Sequence, residues 1–558
     1  MTRRLPLAIF LATFSFFMVT SGREPAWGDA HGMWEVAERL AKDGEIDIHT
    51  RWPEDIPPGR DGKTYCISPL GPSIVHLPGA AIVYGLSRTA PGLNKLVRPL
   101  ATHLAPAALG ALACSLFFLL LLDLGARTRT ASLCTAIVAV ATTTWVYARY
   151  PYSEILQLTC FLGLFRQTLR VVDGRGLPPA GSAAEGRRGS IDKPDRREAL
   201  WLGAWAGFLL NAKYVLALPI AGAAFVILWS LRSKRPELGR VIGWAAVTCV
   251  PLVLVACAYN YARWESVTSS GYEGYLAPYF GGRYFDGLWG MLLSPNKSAF
   301  LYSPPLVLAV IGLPHVIRTH RRFGLALLAM ALPLFLLYCQ YKTWSGDYAW
   351  GPRFIVWLLP VVLVGLYGFW DGVAVRWRPR VRMAILGSVI AAGIGVQLLG
   401  NALYWDHFIR ISIDVKNQWL GNPNRSGSYL PERGRGHCDS CLEDTYQLLW
   451  LPAFQPMLGH WWLVTSLAAG DAAPEAQKSA PWRTYTTLDV NLGTTYPRAR
   501  LDWWGLLWIK DFTGTWVAGL TLLVVLLAST VLGTVMWIRL HLAADRLPDP
   551  APAHPPAV

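Results

Sequence analysis

Long runs of apolar residues alternate with short polar loops from one end of the chain to the other. A helix needs roughly 20 mostly apolar residues to cross the hydrocarbon core of a bilayer. The alternation therefore predicts an all-α polytopic membrane protein with about twelve spans, some of them short. The predicted spans are 5–20, 99–124, 131–148, 155–170, 200–211, 214–231, 241–259, 304–317, 323–340, 354–370, 383–404 and 516–538.

Lysine and arginine are distributed unevenly between the two sides of these predicted spans. The chain termini and loops such as ARTRT (126–130) and RWRPRVR (376–382) are strongly basic. The short loops of the opposite side carry only Arg149, Lys213, Lys342 and Arg353. By the positive-inside rule both termini are inside, and loops 21–97 and 405–515 are outside.

Two segments at the inner side need separate treatment. Residues 5–20 follow Arg3 and Arg4, so a cleaved signal peptide is the alternative to a retained first span. Residues 171–199 contain Gly, Pro, Ser and many Arg, which is typical of a flexible cytoplasmic loop.

The first outer loop carries a polar stretch followed by a helical pattern. From Met33 to Lys42 apolar residues recur at helical spacing, which predicts a short amphipathic helix on the membrane interface. Asp29 stands just before it, either as an N-terminal cap or as a catalytic carboxylate, and the sequence leaves both open. The apolar part of 60–86 predicts a second interfacial helix, since a span there would place the basic loop 126–130 outside.

The outer segment 405–515 is long enough for a small domain. It separates a predicted membrane module, 1–404, from the last span and tail, 516–558. Residues 447–464 predict a further interfacial helix. Cys438 and Cys441 form a CxxC pair, for which a disulfide is favoured over a zinc site because only His437 is an adjacent ligand.

Composition agrees with a membrane protein and argues against a nucleic-acid partner. Of 558 residues 53% are hydrophobic, and the mean hydropathy is +0.31. The formal charge of +15 arises largely from the inner loops, and no nucleic-acid motif is present. The excess charge therefore reflects topology.

Ionisable residues accumulate on the predicted outer face. Each of them alone is most simply a residue at a span end, where its charge reaches water at little cost. Their convergence on one side suits a site with a carboxylate base and cations for a phosphate. The set is Asp29, His31, Glu154, Lys213, Arg283, Lys297, Asp347 and Arg353.

Several motifs carry a resemblance to a known superfamily. They are GDAHGMWEVAERLAKDGEIDI (28–48), YPYSE (150–154), LLNAKYVLALP (209–219), GLWGMLLSPNKSAFLYSPP (287–305) and WSGDYAWGPRF (344–354). In this order the chain resembles GT-C membrane glycosyltransferases, the superfamily of protein O-mannosyltransferases and the bacterial lipid A aminoarabinose transferase. The resemblance covers residues 5 to about 404 and continues more weakly to 464.

The resemblance implies sugar transfer from a polyprenyl-phosphate donor to a glycan, lipid or protein acceptor. It places the site on the outer side of a plasma membrane, of bacterial type, in contact with membrane lipid. The loop-one acidic residue is the base in this superfamily and matches Asp29, with Glu154 as the second catalytic candidate. Many relatives have a second acidic residue directly after the first, where this chain has Ala30.

Further roles follow from the same resemblance. Donor phosphate would be held by Lys213, Lys297 and Arg353, with Arg283 behind them. Substrate contacts are expected from His31, Asp347, Trp344 and Trp350, although the two Trp could equally anchor their loop. No cofactor is implied, and a divalent ion shared by Asp29, Glu154 and Asp347 stays open.

Two other functions are compatible with the span count. A transporter or flippase of lipid-linked sugars would need polar groups in the middle of several spans, where the sequence shows few. A polysaccharide polymerase or ligase would also use lipid-linked donors on this face. A pure scaffold gives no reason for the outer cations.

Overall fold

The computed structural model describes residues 4–23, 29–49, 59–173, 195–272, 280–346, 349–419, 448–484, 492, 496, 499–510 and 516–545. In these ranges the regular structure is helical, with isolated β-bridges such as Asp47–Tyr65. The predicted all-α class is confirmed.

In its described ranges, the first half of the chain forms ten helices. They are α1 (Leu5–Val19), α2 (Asp29–Lys42), α3 (Leu70–Thr89), α4 (Pro91–Asp123), α5 (Thr128–Ala141), α6 (Thr144–Tyr147), α7 (Ser153–Asp173), α8 (Arg196–Ala212), α9 (Ala217–Leu231) and α10 (Arg235–Trp264). Short 3-10 turns occur at Arg60–Gly62 and Tyr214–Leu216.

The second half continues with twelve helices in the described ranges. They are α11 (Tyr284–Leu293), α12 (Ala299–Tyr302), α13 (Pro305–Thr319), α14 (Arg321–Cys339), α15 (Leu359–Leu363), α16 (Gly365–Gly368), α17 (Pro379–Ala402), α18 (Asp406–Trp419), α19 (Pro456–Ala469), α20 (Ala473–Lys478), α21 (Gly505–Lys510) and α22 (Trp516–Asp545). A 3-10 turn, Arg353–Ile355, precedes α15, and a π-helix, Phe369–Val373, follows α16.

Helix length and composition identify a polytopic membrane protein. Among the described residues nine helical segments are long and apolar enough to cross a membrane, and α1, α5 and α13 are shorter apolar helices. All twelve predicted spans coincide with helical segments. The long apolar set includes α3, which the sequence favoured as an interfacial helix, and omits α8.

The membrane bundle is built around α7. In the hydrophobic window of α7, 89% of residues are buried, against 6% in α22. Helix α7 packs against α4, α8 and α9, whereas α22 packs mainly on α1. Most buried residues of α7 are apolar, and its buried Gln157 and Thr159 donate to Ser153 Oγ and to backbone carbonyls. The amino end of α7 therefore lies at the centre of one face of the bundle.

The apolar face of α2 was predicted to lie on the membrane interface, but it packs against other helices. Met33, Trp34 and Val36 are buried with residues of α3 and α4 in one cluster. The Trp34 ring lies 5.7 Å from the ring of His76 on α3. The helix itself is confirmed, but protein rather than lipid buries its apolar face, so the orientation of α2 is fixed by the bundle.

The outer segment has a hydrophobic cluster of its own. Its buried members run from Leu403 through α18 and α19 to Ala499. Trp462 contributes by packing edge-on against Trp482 at 4.9 Å. Residues 456–469 form α19, so the predicted helix within 447–464 is present with shifted bounds. The predicted domain boundary at 404 remains a prediction.

A buried ionic link joins this segment to the bundle. The Arg149 guanidinium donates to the Asn401 and Asp502 backbone carbonyls, at 2.8 and 2.7 Å. The Tyr150 hydroxyl and the Arg23 N–H donate to the Asp502 carboxylate. Burial alone would raise the pKa of Asp502, but Arg149 and these donors together hold it below its ordinary value.

Candidate active site

Four sequence-distant elements carry the charged residues of a small cavity that is open to solvent. They are the start of α2, the start of α7, the turn after α8 and the 3-10 turn before α15. The lining residues are Asp29, Met33, Ser68, Pro69, Tyr152, Ser153, Glu154, Ala212, Lys213, Tyr272 and Arg353. The structure thus brings together four of the predicted site residues.

Asp29 is the first residue of α2, and its carboxylate faces the cavity. Its side chain is 43% exposed. In the described part of the chain its one polar contact is with Arg353, 3.4 Å from Oδ2 to Nη2, and it makes no capping hydrogen bond. The start of a helix favours a carboxylate through its dipole. The described contacts of Asp29 therefore do not include a cap, and its catalytic role stays a prediction.

Glu154 lies in the first turn of α7 and is almost fully buried. Its Oε1 is 3.4 Å from Nε of Arg353. Its Oε2 is also buried and finds no hydrogen-bond partner among the described residues. Leaving a buried carboxylate oxygen without a donor is costly, and Glu154 is one of the residues that line the cavity. Glu154 is thus suited to receive a hydroxyl group of a ligand.

Arg353 stands between the two carboxylates and over two rings. Its guanidinium carbon is 5.3 Å from the ring centre of Phe354 and 5.9 Å from that of Tyr152. Gly346 has φ +70°, and a Cβ there would come within 3.0 Å of the Arg353 stem. Glycine at 346 therefore serves both the turn and the close approach of Arg353.

Lys213 is the second cation of the cavity. Its ammonium lies 5.2 Å from the ring centre of Phe354 and 5.9 Å from that of Tyr338. These two rings stack at 5.0 Å. Burial lowers the pKa of Lys213, and Arg353 lowers it further, while Glu154 acts in the opposite direction. Ring faces hold this charge without neutralising it, so an anion can still approach.

One wall of the cavity rests on a residue that the sequence reasoning missed. Arg263, fully buried at the end of α10, donates to the carbonyls of Cys66 and Ser68 and to Asn260 Oδ1 at 2.8 Å. These bonds fix Ser68 at the cavity. The spacing of Asn260 and Arg263 at the end of an apolar helix was the available signal.

Two tyrosines that line the cavity were also missed. Tyr152 belongs to a motif that was singled out only for Glu154. Burial raises the pKa of Tyr272, and the nearby Asp29 carboxylate adds to the rise. The Tyr272 hydroxyl therefore stays protonated and can act as a donor.

Lys297 is a correction to the predicted phosphate site. Its side chain is buried, and its ammonium donates to the carbonyl of Ala349 at 2.5 Å and of Gly351 at 3.5 Å. It is not among the residues that line the cavity with Asp29. The ammonium is held by backbone oxygens because the loop before Arg353 folds over it. Lys297 thus supports that loop instead of reaching the cavity.

The two tryptophans are likewise placed in the protein interior. Trp344 is 2% exposed and packs over Gly290 and near Trp450. Trp350 is 1% exposed and packs against Tyr302 and His460, at 5.1 and 4.7 Å between ring centres. Neither ring presents a face for a sugar or for the membrane interface, so both tryptophans hold their loop by packing in the protein interior.

The remaining predicted residues lie apart from the cavity or outside the described ranges. Arg283 is exposed at the start of α11, and His31 lies 3.8 Å from Glu35 on α2. Asp347, Cys438 and Cys441 fall outside the described residues. Across the described residues, no group of three or more His, Cys, Asp or Glu could hold a metal ion.

The fold and the site together define a polytopic helical membrane protein with a charged cavity at one end of its bundle. The structure of ArnT from Cupriavidus metallidurans bound to undecaprenyl phosphate is similar, with TM-score 0.47 and 13% identity over 85% of this chain and 80% of that one. The Archaeoglobus fulgidus oligosaccharyltransferase tethered to an acceptor peptide gives 0.46 and 14%, over 76% and 58%. No family model and no curated protein matches the chain.

Proposed function

We propose that this protein is a membrane glycosyltransferase that moves a sugar from a polyprenyl-phosphate donor to an acceptor hydroxyl. The observation that carries the proposal is the meeting of Asp29, Glu154, Lys213 and Arg353 in one cavity. Such a transfer needs a carboxylate to take the proton of the acceptor hydroxyl and cations to stabilise the leaving phosphate, and the cavity contains two of each.

The chemistry divides between these residues. The acceptor oxygen attacks the anomeric carbon of the donor while Asp29 takes the hydroxyl proton. The bond from that carbon to the phosphate oxygen breaks, and the polyprenyl phosphate leaves with the electron pair. Arg353 and Lys213 stabilise the negative charge that develops on the leaving phosphate.

Glu154 supports this arrangement in two ways. Its Oε1 anchors the Arg353 guanidinium, and its buried Oε2 is directed to a hydroxyl of the donor or acceptor.

The cavity is assigned to the outer face of a plasma membrane of bacterial type. Its end of the bundle is the one whose short loops carry few Lys and Arg. At the other end of α7, Arg166 and Arg170 pair with Asp123, and Arg170 also pairs with Glu198. The acceptor is thus a glycan, lipid or protein exposed on the outer side.

The transporter alternative receives little support from the mid-helix polar residues. Asn211 donates to the carbonyls of Gly207 and Leu252, both at 2.9 Å. Gln397 donates to the carbonyl of Tyr302 at 2.7 Å. Both amide groups are used for helix packing, which leaves the end cavity as the better functional candidate.

The test is to identify the lipids that accumulate when the protein is absent. Mass analysis of polyprenyl-phosphate sugars in a deletion strain should show one accumulating species, which the wild-type gene removes. The Asp29→Asn variant should express and leave the species in place, whereas exposed Asp61→Asn should remove it. Absence of any accumulating lipid, or clearance by Asp29→Asn, would contradict the proposal.

A further inference from the structure

Arg353 is shared between two carboxylates that differ in their surroundings. The Glu154 side chain is 5% exposed, and the Asp29 side chain is 43% exposed. Both nitrogen–oxygen distances are 3.4 Å, which is long for a charge-assisted pair. The contact with Glu154 is therefore shielded from solvent, while the contact with Asp29 is weak and solvated.

A base that is paired with an arginine is poorly prepared for its task. The guanidinium occupies Oδ2 of Asp29, one of the two oxygens that could receive the acceptor hydroxyl. That oxygen can receive the acceptor hydroxyl once the cation has turned away. The same guanidinium is one of two cations in the cavity that can serve a phosphate.

We propose that Arg353 exchanges Asp29 for the donor phosphate, so that donor binding itself releases the base. Glu154 holds the guanidinium on its Nε side throughout the exchange. This inference rests on the proposed function and adds an order to it: the phosphate binds first, and only then can Asp29 accept a proton from the acceptor.

The exchange has a measurable consequence because coupling is reciprocal. If Asp29 competes with phosphate for Arg353, removal of the Asp29 charge must tighten phosphate binding. A solvated ion pair of this kind corresponds to an effect of about two- to five-fold in affinity. The effect must also act through Arg353 and disappear when Arg353 is replaced.

The experiment measures binding of undecaprenyl phosphate to the full purified chain. Asp29→Asn should bind about two- to five-fold more tightly than wild type. In an Arg353→Gln background, where binding is weaker, adding Asp29→Asn should change affinity no further. Exposed Asp61→Asn, which removes the same charge from the same loop, should match wild type.

Each alternative result has a distinct meaning. Equal tightening by Asp29→Asn in the Arg353→Gln background would show direct repulsion and overturn the exchange. Tightening by Asp61→Asn, or no tightening by Asp29→Asn, would overturn it too. Failure of the wild-type protein to bind the lipid at all would instead contradict the proposed function and the exchange with it.

Discussion

At the scale of single residues, the cavity is defined by the contacts that its two cations and its exposed carboxylate make. Lys213 is held by two ring faces, and Arg353 by two long ionic contacts. Asp29 makes no capping bond in the described part of α2, although its place before an amphipathic helix is typical of a cap. Neither cation is committed to a short salt bridge with either cavity carboxylate, which suits a site that must receive a phosphate.

The pKa of Lys213 predicts how binding of undecaprenyl phosphate depends on pH. Because burial lowers its pKa, its positive charge is lost on raising pH earlier than for an ordinary lysine, whose pKa is about 10.4. Binding of undecaprenyl phosphate should therefore weaken in the alkaline range, and Lys213→Met should weaken it by about ten-fold at neutral pH.

The matched control replaces the titratable cation with a permanent one. Lys213→Arg keeps its charge throughout this range, so its binding should stay level where the wild type declines. Identical pH profiles of wild type and Lys213→Arg would show that Lys213 does not contact the phosphate.

At the scale of elements, the loop that carries Arg353 is fixed from below by a buried lysine. Lys297 donates to the carbonyls of Ala349 and Gly351, and Gly351 has φ +72° against the ring of Tyr302. The side chain of Trp350, between these two residues, fills the space beside Gly400. The position of Arg353 thus depends on packing between α12, α17 and α19.

Replacement of Lys297 tests this dependence. Lys297→Met keeps the volume but removes charge-assisted bonds worth roughly 1.5–3 kcal/mol each, so it should lower thermal stability and weaken undecaprenyl phosphate binding together. Lys342→Met, at an exposed site in the same loop, should change neither. Weaker binding with unchanged stability would return Lys297 to the direct phosphate contact predicted from the sequence.

The sequence predicted where helices form better than it predicted which helices pack against each other. Apolar runs and basic loops located helical segments at all twelve predicted positions, because lipid imposes length and composition on each helix separately. The burial of α2 against α3, and of Trp344 and Trp350 in the interior, depends on which helices meet. Such pairing is not encoded in local periodicity. Asp29, Glu154, Lys213 and Arg353 could be proposed because residues at one end of the spans must share one face.

At the scale of the whole molecule, the buried link between Arg149 and Asp502 joins the bundle to the outer segment. Asp502→Asn would leave the Arg149 guanidinium buried without its countercharge, at a cost of about 3–5 kcal/mol. The variant should unfold at a clearly lower temperature, while exposed Glu475→Gln should behave as wild type.

The same pair predicts a pH dependence of stability. The folded-state pKa of Asp502 lies below its ordinary value, so its contribution is complete above about pH 4 and is lost as the pH falls further. The difference between wild type and Asp502→Asn should shrink in acid. A difference that is absent at neutral pH would show that the link adds no stability.

The orientation of the chain is a separate prediction. Cysteine labelling at positions 192 and 440 should report opposite sides of the membrane, since the first lies in a basic inner loop and the second in the outer segment. Labelling of both positions from the same side would overturn the predicted topology, and with it the assignment of the site to the outer face.

The most direct measurement of the central claim compares transfer and binding in Asp29→Asn. Asn suits the start of a helix about as well as Asp, so folding should be unchanged. A neutral amide cannot take the acceptor proton, and a general base contributes typically 10²–10⁴-fold. The account predicts that purified Asp29→Asn binds undecaprenyl phosphate at least as well as wild type and has lost nearly all transfer from the donor identified in the deletion strain. Transfer at the wild-type rate would contradict it.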